Sequence, residues 1–130
     1  MTGHYFTWCA VTRFADELCP SPWRVPTLQD FIDLDIALGG TGENRGGVSE
    51  EEILRYTGTG ANQWGAVFGG YILSYNDEED QGFTAGYWSQ TEVNLDRGHS
   101  LFVSTYTYGG YIYSQATTGK SSGIMLRCVR

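Results

Sequence analysis

The sequence predicts a single α+β domain spanning residues 1–130, with capped helices and loops in its first half and strands in its second. Three observations predict it. Thr27 and Ser49 each stand where a helix N-cap belongs, with an acidic residue three positions on. Beyond about residue 58 the apolar pattern changes to alternation, most plainly over residues 101–117. Finally, 18 of 130 residues are glycine, about twice the usual ~7%, at irregular intervals that suit turns and loops rather than a repeat array.

Residues 5–11 (YFTWCAV) read as a strand with bulky side chains on both faces. Pro20, Pro22 and Pro26 exclude helix from the next segment and favour a rigid, extended path. Thr27 with Asp30 opens a helix whose apolar face is Leu28, Phe31, Ile32 and Ile36, stopped by Gly39-Gly40. Residues 39–47 are glycine-rich but lack the lysine and the strand-before, helix-after setting of a phosphate loop, so they read as a loop. Ser49 with Glu52 opens a shorter helix through Ile53, Leu54 and Tyr56.

Residues 64–75 hold a strand candidate interrupted by Gly69-Gly70, and residues 76–80 form an acidic turn. Residues 86–91 (GYWSQT) read as a strand. Within residues 101–117, Gly109-Gly110 supplies a two-residue hairpin turn. That turn would set Tyr108 opposite Tyr111, Tyr106 opposite Tyr113 and Ser104 opposite Gln115, all on one face. The other face would carry Leu101, Val103, Thr105, Ile112 and Ala116. Ile124, Leu126 and Cys128 alternate in a closing strand.

Composition narrows the functional classes. The net charge of −7, with eight unclustered Lys and Arg, opposes nucleic-acid binding, which needs clustered positive charge. No apolar run approaches the roughly 18 residues of a membrane span, and no signal peptide is visible. Cys9, Cys19 and Cys128 include no C-x-x-C pair; a Cys19–Cys128 bond would tie the early chain to its end, and three free thiols in a reducing compartment are the alternative. His4 and His99 are the only near-neutral bases, and neither has a patterned nucleophile beside it. Asp77, Glu78, Glu79 and Asp80 offer hard oxygen ligands that could hold calcium, although a solvated turn is the preferred account.

The order of several blocks is distinctive: residues 19–27 (CPSPWRVPT), a helix ending Leu38-Gly39-Gly40, residues 86–92 (GYWSQTE) and the terminal Arg127-Cys128-Val129-Arg130. Together they resemble the Fibrobacter succinogenes major paralogous domain family over nearly the whole chain. The resemblance implies a C-type lectin-like fold, with a twisted antiparallel sheet, two flanking helices, long loops and neighbouring termini. It implies a Cys19–Cys128 disulfide, and scaffold roles for Trp23, Trp88 and Arg127.

Related lectin-fold proteins are the variable targets of diversity-generating retroelements, and the Tyr-, Ser-, Thr-, Gly- and Asn-rich stretch 91–118 is compatible with such a role. Tyrosine gives large amphipathic contact at low entropic cost. The expectation is therefore a non-catalytic adhesin or receptor-type module, on a cell surface, secreted or on a virion. Its ligand would be a protein or glycan on another cell or virus surface, bound without a cofactor. The expected ligand-binding residues are Thr91, Asn94, Asp96, His99, Ser104, Tyr106, Tyr108, Tyr111, Tyr113 and Gln115. The rival expectations are an oxidative enzyme related to formylglycine-generating enzymes and a purely structural surface or fimbrial-tip domain.

Overall fold

A computed structural model describes residues 4–72, 78–79, 82–105 and 110–130. The two capped helices form as their sequences dictate. Helix α3 covers Leu28–Ala37, and helix α4 covers Glu50–Thr57. In each, the N-cap hydroxyl accepts from the N3 backbone N–H and the N3 carboxylate accepts from the N-cap N–H, so Thr27–Asp30 and Ser49–Glu52 are complete capping boxes. Arg24 forms an ion pair with Asp30 from the preceding segment. Its hydrogen bond is the largest influence holding the Asp30 carboxyl down at about 2, with the Thr27 hydrogen bonds adding to it.

Residues 5–11 are not a strand. Helix α1 covers Trp8–Arg13, followed by a one-turn helix α2 over Ala15–Leu18. The Thr7 side chain accepts from the Ala10 N–H and so caps α1, and the following turn brings Val11 inside. A short apolar run fits either period, and here the cap decides. Only Phe6 retains a strand-like bridge, to Ile124.

Strands β1 (Arg45–Val48), β4 (Thr84–Glu92), β5 (Arg97–Ser104) and β6 (Gly110–Gly119) form one open antiparallel sheet in the order β1-β6-β5-β4. Part of the 39–47 loop is therefore an edge strand. Strands β2 (Tyr71–Ile72) and β3 (Glu78–Glu79) pair separately. Little of the 64–75 strand candidate is regular: residues 64–69 run irregularly, and residues 73–75 lie outside the described residues. The closing segment makes isolated bridges, Ile124 to Phe6, Met125 to Tyr87 and Val129 to Arg24, rather than an alternating strand.

The sheet separates two apolar clusters. Ala85, Tyr87, Leu101, Val103 and Ile112 pack with Phe31 of α3 and with Ile53 and Tyr56 of α4. On the opposite face, Trp88 packs with Val11, Val25, Ile124 and the disulfide residue Cys19. Trp88 is fully buried and donates from Nε1 to the Phe6 carbonyl. Trp23, by contrast, is an exposed ring stacked under Arg130, and Arg127 lies over Trp64 on the surface.

The inward face of α3 also differs from the expected one. Phe31 is buried as expected, but Ile36 is exposed, and Asp35 takes a fully buried place. Burial of a carboxylate is tolerable only when its oxygens are satisfied. Asp35 Oδ1 accepts from Tyr56 Oη at 2.6 Å and from Arg45 at 2.9 Å, while Oδ2 accepts from the Gly42 N–H at 2.8 Å. Arg45 reaches on to Glu52. Burial first, then the hydrogen bond to Asp35, pushes the Tyr56 phenol well above its ordinary range, so it stays a neutral donor.

Cys19 and Cys128 are bonded, closing a loop of 109 residues' separation, and Cys9 is free and exposed on α1. Denatured without reductant, the protein should titrate one thiol, and three after reduction; three before reduction would contradict the bond. Replacing Asp35 by Ala leaves the buried Tyr56 hydroxyl and the partly buried Arg45 without their shared acceptor. Urea unfolding should then show a loss of about 3–5 kcal/mol, the range for breaking a buried ion pair from one side.

Candidate binding surface

The strand β6 places the expected tyrosines. Along it, Ile112, Ser114 and Ala116 are buried, while Tyr111, Tyr113 and Gln115 are only partly so. The two tyrosine rings stack, with centroids 4.3 Å apart and planes 19° from parallel. Stacking of next-but-one neighbours on one strand makes them a single flat aromatic unit. The aliphatic face, Leu101, Val103, Ile112 and Ala116, is buried as expected, whereas Thr105 is exposed.

The register of the hairpin is not the expected one. Ser104 pairs with Tyr111, Val103 with Ile112 and Phe102 with Tyr113. Gly110 is not a turn residue but the first residue of β6, and a Cβ there would stand 2.6 Å from the Ser104 carbonyl oxygen. Its missing side chain is used for close approach between strands. Ser104 is consequently buried, its hydroxyl accepting from Thr84 at 3.1 Å, and it is no surface ligand residue. Tyr106 and Tyr108 lie outside the described residues.

Beside the tyrosine pair, Phe102 lies over Gly86, where a Cβ would come within 2.8 Å of its ring. Tyr71 meets Phe102 edge-on at 6.0 Å. These four rings, with Arg97, Thr117, Thr118 and Ser121, line an open groove of about 440 Å³ over the β5–β6 face. Phe102 was legible from parity, because it alternates with the core residues Leu101 and Val103. Tyr71 was not, since it reaches the groove only through the bridge of Ile72 to Gly123.

The remaining expected residues have structural duties. The Thr91 hydroxyl accepts from the Leu28 N–H at the start of α3. Asn94 accepts from the backbone of Asp96 and Arg97, shaping an exposed turn in which Asp96 stands. The His99 carbonyl accepts from Ser89, and its Nδ1 is buried without a partner among the described residues. Gln115 donates to the Gly42 carbonyl at 2.7 Å. Of the eight that lie among the described residues, the structure brings Tyr111 and Tyr113 together as a groove wall.

No group of three or more His, Cys, Asp or Glu able to hold a metal occurs among the described residues. Asp77 and Asp80 of the acidic run lie outside those residues, and the backbone of Glu78–Glu79 pairs as strand β3 rather than forming a turn. A second cleft of about 440 Å³ is lined by His4, Phe6, Val67, Tyr87 and Arg127. There the Tyr87 hydroxyl accepts from the Val67 N–H, and burial raises its pKa.

The sheet, its buried Trp88 and the Cys19–Cys128 tie accompany a match along the full sequence. The model of the Fibrobacter succinogenes major domain covers residues 1–130. This chain belongs to that family. No curated protein and no solved structure matches it. In this Fibrobacter succinogenes major domain, no described helix is long and apolar enough to cross a membrane.

The stacked pair gives a test of placement. Tyr111→Ala with Tyr113→Ala should cost no more than about 2 kcal/mol in urea unfolding, since only a partly buried aromatic pair is removed. Trp88→Ala, in the core, should cost about 3–5 kcal/mol. Equal losses would make the tyrosines core residues.

Proposed function

We propose that this domain is a non-catalytic ligand-binding module of adhesin or receptor type, with a C-type lectin-like fold. The observation that carries the reading is the stacked Tyr111–Tyr113 pair on the open side of a sheet whose other side is packed core. Aromatic faces supply contact area, and Thr117, Thr118 and Ser121 supply hydrogen bonds at the same groove. Binding in this reading needs no metal. The lectin-like fold is supported by neighbouring chain ends, tied by Phe6 to Ile124, Arg24 to Val129 and Cys19 to Cys128.

The ligand is a protein or glycan on another cell or virus surface, and the domain itself is displayed on a cell surface, secreted or carried on a virion. The disulfide supports an oxidising compartment. It also withdraws Cys128 from thiol chemistry, which favours binding over the oxidative-enzyme alternative. Residues 91–118 include both groove tyrosines, which suits a surface diversified by a retroelement. A reverse transcriptase beside the gene, with a near-copy of this coding stretch differing at adenines, would support that part.

Arrays of cell-surface glycans and proteins test the binding reading. Ligands captured by the wild type should be captured at least ~10-fold more weakly by the Tyr111→Ala, Tyr113→Ala double variant, corresponding to about 1.4 kcal/mol or more. Undiminished capture by a folded double variant would move the site elsewhere. No capture by the wild type would favour the purely structural domain.

A further inference from the structure

We propose that the cleft beside Tyr87 and Arg127 is a second binding site, for a medium-chain organic carboxylate. Its charged head sits at the Tyr87 phenol and the Arg127 guanidinium, and its chain lies over Phe6, Val67 and Met125. The cleft's volume of about 440 Å³ falls within the roughly 300–1,000 Å³ of small-molecule sites. It shares no lining residue with the tyrosine groove, so it does not rest on the binding reading above.

Two polar groups converge there. The Tyr87 hydroxyl accepts from the Val67 N–H at 2.9 Å, and its own proton makes no hydrogen bond among the described residues. Burial raises the phenol's pKa and keeps it a neutral donor. The Val67 hydrogen bond and the Arg127 charge act in the opposite sense, which sets the guanidinium within electrostatic reach of the phenol. Arg127 lies 4.3 Å over the Trp64 ring, and one terminal nitrogen donates to the Trp64 carbonyl. Trp64 in turn meets Tyr87 edge-on at 5.0 Å, so a single ring sets the spacing of donor and cation. Arg127 makes no ion pair among the described residues. In a chain of net charge −7, the ionisable side chains lining the cleft are His4, Tyr87 and Arg127, with no carboxylate among these described residues.

The remaining walls choose the occupant. Phe6, Val67, Met125 and Leu126 are apolar, and Val67 is half-exposed. Such walls suit methylenes, and a phenol beside a guanidinium suits one anionic head. A sugar would leave most of its hydroxyls without partners on this surface. An extended peptide would find no ladder at Phe6, Val67 or Met125, whose backbones are already paired. Phe6 bonds with Ile124, Met125 with Gly86 and Trp88, and Val67 with the Tyr87 hydroxyl and the Gly69 N–H.

Titration calorimetry with octanoate, hexanoate, 1-octanol and inorganic phosphate tests this. Octanoate should bind ~10-fold or more tighter than 1-octanol or phosphate. Hexanoate, shorter by two methylenes, should bind roughly 10-fold more weakly than octanoate. Arg127→Gln should weaken octanoate ~10-fold or more and leave 1-octanol unchanged, since one charge-assisted hydrogen bond is lost. Val67→Glu, at a half-exposed side chain, should exclude octanoate by repulsion, with circular dichroism confirming that the variant is folded. Equal binding of octanoate and 1-octanol, equal binding of phosphate, or no octanoate binding would each overturn the proposal. So would tighter binding of a tetrapeptide ending in leucine, or undiminished octanoate binding by both folded variants. None of these outcomes alters the tyrosine-dependent capture expected of the groove, and loss of that capture leaves this site standing.

Discussion

The Asp35 carboxylate is the constraint on which the rest of the structure depends. It is fully buried, and its oxygens gather groups from separate parts of the chain: Tyr56 on α4, Arg45 on β1 and the backbone of Gly42. Gly42 then passes the constraint on, because its carbonyl accepts from both Ser114 and Gln115 of β6. One buried charge thus sets the position of α3 against α4, of the loop between α3 and β1, and of β6. Since β6 carries Tyr111 and Tyr113, the polar network on one side of the sheet positions the aromatic surface on the other. A hydrophobic residue at position 35 could fill the space but could not specify this arrangement, because apolar packing is not directional.

The sheet's second organising role is to divide labour between its faces. One face is sealed by α3 and α4. The other is covered near β4 by α1 and the chain ends, with Trp88 at the centre. Over β5 and β6 that cover gives way to the groove of Tyr71, Phe102, Tyr111 and Tyr113. The disulfide holds the chain ends on the covered half, within the Trp88 cluster. In the chain-entropy model, a bond closing so long a loop stabilises the fold by about 4–5 kcal/mol.

A rigid floor suits recognition by faces and hydroxyls. Phe102 rests on Gly86, Tyr71 supports Phe102, and the tyrosines brace one another, so little conformational freedom is left to lose on binding. Arg97 extends the same logic to charge, since its two bonds to Thr117 orient it before any ligand arrives.

The sequence by itself determined what depends on near neighbours along the chain. Both capping boxes, the strands around residues 86–91 and 101–117, and the division of that hairpin into an aliphatic and a tyrosine face were legible, because caps and alternation are local rules. The α1 helix was missed because residues 5–11 satisfy both periods and only the Thr7 cap separates them. The tertiary structure decided whatever required distant groups to meet. It put Asp35 inward in place of Ile36, because Arg45, Tyr56 and Gly42 wait there. It shifted the hairpin register, because Gly110 lets the Ser104 carbonyl approach. It gave Thr91 and Gln115 distant backbone partners and Asn94 local ones. And it joined Tyr71, Arg97 and Phe102 to the tyrosine pair, a set that no spacing along the chain could have assembled.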